Sequence, residues 1–264
     1  MSLALSFFLA TISASMPSPR EIRVLDNESA LAEAVAGFLA STIEETLRRK
    51  PRVRLVLSGG STPRRLYRTL AQPEWAKRID WTSVLLFFGD ERCVPPDHPE
   101  SNYAMAKEAL IDPLQIAPQQ VMRLRGEAEP EKAASHYEAT IREAFAPDQT
   151  PFPRFDLIFL GLGDDGHTAS LFPSSPALRE QRRLVVPTSS PVGIPHRLTM
   201  TFPLLNAAVT VVFLVTGSSK ASILRRVQEE RDSAAPLPAS RIRPANGRLI
   251  WYVDRAAASA LPSA

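Results

Sequence analysis

The sequence predicts an α/β domain built on a mostly parallel sheet, and three observations predict it. Short apolar runs alternate with amphipathic stretches along the whole chain, several runs such as FDLIFL and TVVFLVT are close to continuously apolar, and glycines follow directly after them. Alternating strand and helix patterns give parallel strands joined by crossover helices. A strand that is apolar on both faces is one that helices cover on both sides.

The elements follow in order. EIRVL reads as a first strand, and ESALAEAVAGFLASTIEETLRRK as a helix, because its apolar residues recur at helical spacing. RVRLVL is a second strand and STPRRLYRTLAQ the helix after it. SVLLFF, FDLIFL, RLVVPT, HRLTMTF, TVVFLVT and LIWYVD read as further strands, and SNYAMAKEALI, EPEKAASHYEATIREAF and SKASILRRVQEE as helices. Most of the 24 prolines fall between these elements, where a fixed φ and a missing N–H do least harm.

Length and composition bound the answer. A chain of 264 residues with 44% hydrophobic content buries a sizeable core, at the upper end of what one domain holds. The division expected is an extension over residues 1–18 and one domain over 19–264. Leu3 to Ile12 is apolar enough for a signal-peptide core, but the positive flank and a small-x-small cleavage site are missing. Met16 opens an ordinary cytosolic start, so the preceding residues read as disordered or as a start-site remnant, and the protein as cytoplasmic. No other run reaches transmembrane length. With 31 basic against 28 acidic residues there is no basic stripe, so neither nucleic acid nor membrane is an expected partner. The single cysteine, Cys93, rules out an intrachain disulfide and fits a buried, inert thiol.

Four strand ends carry polar groups that pack nothing. In LVLSGGSTP a strand runs into Ser58, Gly59, Gly60, Ser61 and Thr62 ahead of a helix, with Ser61 or Thr62 as its cap and Pro63 at its first position. This is either a well-capped turn or a phosphate cradle, since glycines admit a ligand to the backbone and helix starts favour anions. In FFGDERCVPPDHPESNY the strand ends on Asp90, Glu91 and Arg92. That stretch is a solvated loop or, through Arg92, a grip on phosphate or a developing oxyanion. Ser101 and Asn102 read as caps of the next helix rather than substrate contacts, and His98 as a surface loop residue. In TVVFLVTGSSKA, Lys220 sits in a helix's first turn against the dipole, a penalty that a bound dianion would reverse. The other reading is an exposed loop lysine.

The fourth end, FDLIFLGLGDDGHTASLFP, places Asp164, Asp165 and His167 past a strand's carboxyl end, where open α/β sheets bind ligands. Asp165, two residues before His167, can orient the imidazole as a general base. His136 and His196 lack this position and read as structural. Ser170 is not in a nucleophile elbow, and one histidine among scattered carboxylates makes no metal ligand set. Water attack assisted by one base is the simplest chemistry these residues support.

LSGGSTP, FFGDERCVPPDHPESNY, GLGDDGHTASLFP, LTMTFPLLNAA and TGSSKA, in that order, together resemble the glucosamine-6-phosphate isomerase/6-phosphogluconolactonase family, on its lactonase side. The resemblance implies a single Rossmann-like domain similar to glucosamine-6-phosphate deaminase, with no cofactor or metal. It implies hydrolysis of a sugar-phosphate lactone, with His167 activating water and Asp165 supporting it. Ser58 to Thr62, Arg92 and Lys220 would surround the phosphate and the lactone's polar edge, with Asp90 on the same loop cluster. Arg197 matches a family basic position. The small-molecule lactone is the partner expected, for a monomer or weak homo-oligomer. Two rivals remain: a deaminase, whose similar segment reads DGHIAFNEP with a glutamate that is missing here, and a sugar-phosphate sensor, for which no helix-turn-helix precedes EIRVL.

Overall fold

Each run read above as a strand becomes one in the computed structural model, which describes residues 21–146, 150–229, 233 and 235–262. The extension expected over residues 1–18 lies outside the described residues. In chain order the elements are β1 (Glu21–Leu25), α1 (Glu28–Leu47), β2 (Val53–Leu57), α2 (Ser61–Leu70), α3 (Pro73–Arg78), β3 (Val84–Phe88), β4 (Asp90–Arg92), α4 (Asn102–Ala106) and α5 (Pro130–Ala144). They continue with β5 (Leu157–Leu160), β6 (Val185–Ser189), β7 (His196–Met200), α6 (Phe202–Asn206), β8 (Thr210–Val215), α7 (Ala221–Glu229), β9 (Arg248–Asp254) and α8 (Arg255–Ala258).

Six strands form one parallel sheet in the order β1-β9-β8-β5-β2-β3. The α/β expectation holds, and so does its cause: β3, β5 and β8 are buried at every residue, as strands covered on both faces must be. Helix α1 turns Leu31, Val35, Leu39 and Ile43 to the core, and the Asn27 side chain caps it by accepting from the Ala30 amide at 2.9 Å. From β2 the chain crosses to β3 on one side, while from β5 it crosses to β8 on the other. The reversal leaves a crevice at the carboxyl ends of the adjacent β2 and β5, the place where such sheets bind ligands.

RLVVPT and HRLTMTF leave this sheet. As β6 and β7 they join β4 in a three-stranded antiparallel sheet. GDER is therefore a strand rather than a solvated loop, with Asp90 and Glu91 buried. Glu91 explains why a carboxylate tolerates that position. One oxygen accepts from the Arg92 and Asn102 amides, both at 2.7 Å, and the other from the Tyr103 amide at 2.8 Å and the Ser101 hydroxyl at 3.0 Å. Burial nevertheless pushes its pKa up against these donors.

Three local expectations need correction. Helix α2 is capped by Gly60, at φ +108°, with no side-chain cap. Ser61 and Thr62 lie inside the helix, and Pro63 is its third residue. The positive φ at glycine turns the chain directly into the helix, and the Thr62 hydroxyl is spent on that of Thr216 at 2.7 Å. Cys93 is half-buried rather than buried, and burial pushes its thiol up to about 11, which keeps it unreactive. His136 and His196 expose their side chains, so neither is a structural core histidine.

Every oxygen position of Glu91 faces a donor, so Glu91→Gln must point an amide NH₂ at two of them. The expected loss is about 1–3 kcal/mol of stability, the cost of stranding buried donors, read as a lower urea midpoint at unchanged m. An unchanged midpoint would show that these bonds do not hold the start of α4.

Candidate active site

A cavity of about 530 Å³ opens at the β2/β5 crevice. Its wall includes Ser58, Gly59, Gly60, Asp90, Arg92, Asp165, His167 and Arg197, so the structure gathers most of the residues singled out in the sequence. Two tyrosines fix the strand ends that carry them. The Tyr67 hydroxyl meets both the amide and the carbonyl of Ser58 at 2.9 Å, and the Tyr137 hydroxyl does the same for Phe88 at 2.7 and 3.1 Å. Each satisfies backbone groups just where the chain leaves the ladder, as buried backbone requires.

The histidine loop is built by contacts at both ends. Thr168 Oγ1 donates to the Gly161 carbonyl at 2.9 Å, and the Gly163 amide donates to the His167 carbonyl at 2.9 Å. Asp165 Oδ1 accepts from the His167 amide at 3.0 Å and lies 2.6 Å from its Nδ1. A carboxylate at Nδ1 selects the tautomer with the proton there and leaves Nε2 as the free base. The Phe172 ring lies 4.5 Å from the imidazole, centroid to centroid. A Cβ on Gly163 would overlap the imidazole itself, so glycine at this position is a requirement of the close approach.

The opposite wall is positive. Arg92 and Arg197 are direct partners across the β4/β7 ladder, an arrangement of like charges that costs stability. Arg197 is only 8% exposed. Burial first, then the facing Arg92, pulls its pKa below the ordinary arginine value. Their hydrogen bonds go to carbonyls: Arg197 Nε donates to the Ile194 carbonyl at 2.8 Å, and Arg92 donates to the Glu100 carbonyl, with the Glu100 carboxylate in a looser ion pair at 3.7 Å. Among the described residues, Arg92 Nε and the Ser58 hydroxyl are buried without a hydrogen-bond partner.

Three expected positions fall differently. Ser61 lines a neighbouring cavity, and Thr62 turns to Thr216. Lys220 lies in a short 3₁₀ turn just before α7 rather than in its first turn. It reaches the cavity's edge through an ion pair of 2.5 Å with Asp164, which lines the wall. Sequence reasoning missed the part played by Asn102. Ser101 is the cap of α4, accepting from the Ala104 amide at 3.1 Å, but Asn102 lines the cavity. Its Nδ2 donates to the Asp90 carbonyl and carboxylate at 3.0 and 3.1 Å, and the other Asp90 oxygen accepts from Ser170 Oγ at 2.7 Å. The available signal was Gly59, where a Cβ would overlap the Asn102 amide. Among the described residues, no three His, Cys, Asp or Glu side chains gather to hold a metal ion, and no helix is long and apolar enough to cross a membrane.

Comparison with known proteins agrees with this architecture. The family described as glucosamine-6-phosphate isomerases/6-phosphogluconolactonase matches residues 26–251. A human protein named 6-phosphogluconolactonase is 41% identical over 251 residues, covering 93% of this chain and 95% of its own. The solved structure of 6-phosphogluconolactonase from Trypanosoma cruzi superposes with a TM-score of 0.82 at 28% identity, covering 94% of this chain and 99% of that one. A monomeric glucosamine-6-phosphate deaminase shares the fold, with a TM-score of 0.75 at 22% identity and coverage of 91% and 99%.

The packing of Gly163 against His167 makes a local test. Gly163→Ala should leave the fold in place and push the imidazole off Asp165, read as a changed ring ¹⁵N signature of His167 in NMR spectra. A wild-type signature in the folded variant would mean that the loop tolerates a Cβ and that glycine is not what permits the contact.

Proposed function

The chain belongs to the glucosamine-6-phosphate isomerase/6-phosphogluconolactonase family, and on that premise we propose that it hydrolyses 6-phospho-D-glucono-1,5-lactone to 6-phospho-D-gluconate in the pentose phosphate pathway. The observation that carries this reading is the Asp165–His167 contact of 2.6 Å across a cavity from two arginines whose hydrogen bonds go to backbone carbonyls. We assign the activity to a domain spanning residues 19–264, working in the cytoplasm as a monomer or weak homo-oligomer.

The residues support one sequence of steps. The phosphate is held near Arg92, Arg197 and the backbone of Gly59 and Gly60, with Lys220 exchanging Asp164 for it at the rim. Holding the substrate by its phosphate turns the attack into a step within one complex. His167 Nε2 accepts a proton from water as the water oxygen bonds to C1, and the carbonyl electron pair moves onto its oxygen. The buried, unpartnered Ser58 hydroxyl is the donor we assign to that oxyanion. The oxyanion then collapses, the bond from C1 to the ring oxygen breaks, and the ring oxygen takes the proton back from the His167 imidazolium. The acid product loses its proton to solvent. Asp165 holds the imidazole in the productive tautomer throughout and stabilises its charged form.

The deaminase reading is less supported. The segment following His167 has no carboxylate up to Pro173, its side chains being Thr168, Ala169, Ser170, Leu171 and Phe172, and Ser170 is committed to Asp90.

Loss of the lactone above its spontaneous rate, with no ammonia released from glucosamine 6-phosphate, is the expected outcome of a direct assay. His167→Asn should keep the fold and 6-phosphogluconate binding while kcat falls by about 10²–10⁴-fold, the worth of a positioned general base. Asparagine can hydrogen-bond but cannot take water's proton. A folded His167→Asn variant with near-wild-type kcat would defeat the mechanism.

A further inference from the structure

A second cavity, of about 680 Å³, shares a wall with the candidate active site: Gly60, Asn102 and Arg92 line both. Its far side is one face of α2, with Arg64, Arg65 and Arg68. Four guanidiniums thus face this groove, against the carboxylates of Glu28 and Glu100. Arg65 is paired with Glu28 at 2.8 Å, and Arg68 with Glu108 at 2.9 Å. Arg64 is half-buried, and among the described residues its side chain has no hydrogen-bond or ion-pair partner. Arg92 Nε is buried and also lacks an acceptor.

Helix α2 bears the cost of this arrangement. Its sequence, STPRRLYRTL, contains no acidic residue. Arg64 and Arg68 stand one turn apart, a like-charged i,i+4 pair that opposes helix formation, and Arg64 and Arg65 lie in the half of the helix where its dipole disfavours cations. An anion in the groove would reverse the sign of each of these terms. We propose that the groove between α2 and Arg92 binds a small polyanion carrying two phosphoryl groups, and that this ligand is coupled to the active site through Arg92.

The chemistry of the lining selects that class. Guanidinium forks match phosphate oxygens in pairs. Arg64 and Arg68, about 6 Å apart along the helix, with Arg92 on the facing wall, offer more donors than one phosphoryl group takes up. Among the described residues no aromatic ring lines the groove, so none of them stacks on a base, and the diphosphate is the part recognised. Because Arg92 also lines the active site, two anions meet at one guanidinium, and binding of either weakens the other by the same factor. This coupling rests on the phosphate role proposed for Arg92, whereas the groove itself does not.

Calorimetry with inorganic pyrophosphate at fixed ionic strength tests both parts. The wild-type chain should bind pyrophosphate more tightly than orthophosphate. The Arg64→Ala/Arg68→Ala double variant, and to a lesser degree Arg64→Gln, should bind it at least tenfold more weakly while hydrolysing the lactone with wild-type kcat and KM. Pyrophosphate should raise the lactone KM of the wild type and leave that of the double variant nearly unmoved. No binding by the wild type, equal affinity in the folded variants, or orthophosphate binding as tight as pyrophosphate would overturn the proposal. If the chain fails to hydrolyse the lactone, arginine-dependent pyrophosphate binding still stands or falls by calorimetry alone.

Discussion

Between β2 and β5 the chain winds away in opposite directions, and the rest of the site depends on that reversal. The connections that leave the carboxyl ends of β2 and β5 run toward opposite edges of the sheet, so backbone and side chains at two neighbouring strand ends stay open to a ligand. A sheet wound in one direction would cover the same ends with its own crossovers. The glycines on both loops answer to the crevice rather than to the sheet. Gly59 admits the Asn102 amide, and Gly163 admits the His167 ring, each at a separation that excludes a Cβ.

The small antiparallel sheet supplies what the parallel sheet lacks. By pairing β4 with β7 it sets Arg92 opposite Arg197 and buries Asp90 and Glu91 on the same short strand. Two carboxylates in that position would be costly if unpaired. Asp90 is met by Asn102 and Ser170, and Glu91 by three amides and a hydroxyl. The acids thus serve to hold the wall, while the arginines donate to carbonyls, with one looser ion pair of 3.7 Å from Arg92 to the Glu100 carboxylate. A carbonyl satisfies a guanidinium's hydrogen-bonding geometry without neutralising it, so the wall remains attractive to an anion.

What the sequence made legible follows from range. FDLIFL, TVVFLVT and the helix of Leu31, Val35 and Leu39 are written in local periodicity, which a single chain displays directly. The GLGDDGH loop was legible because the orienting acid and the histidine are two residues apart, and because glycines mark where backbone geometry is special. The pairing of GDER with HRLTMTF was not, since it joins residues about a hundred positions apart and no local pattern encodes a partner. Asn102 was hidden for the same reason: as a helix start it satisfies a local expectation, and only its approach to Gly59 and Asp90 gives it a second role. The cap of α2 was misjudged because a glycine at φ +108° does the work usually given to a serine or threonine side chain, leaving Thr62 free to bond Thr216.

Lys220 shows how the local reading and the tertiary answer can be reconciled. Its position before α7 raises the expectation of a dianion that would offset the dipole, and the Asp164 carboxylate stands there. Asp164 is 82% exposed, so its pair with Lys220 is of the kind that contributes little net stability. A phosphate dianion carries more charge and more acceptor oxygens than one carboxylate, so the exchange proposed for Lys220 costs only a weak surface contact. The same carboxylate keeps the lysine extended toward the rim, so on the phosphate role proposed for it few of its rotamers remain to be lost on binding.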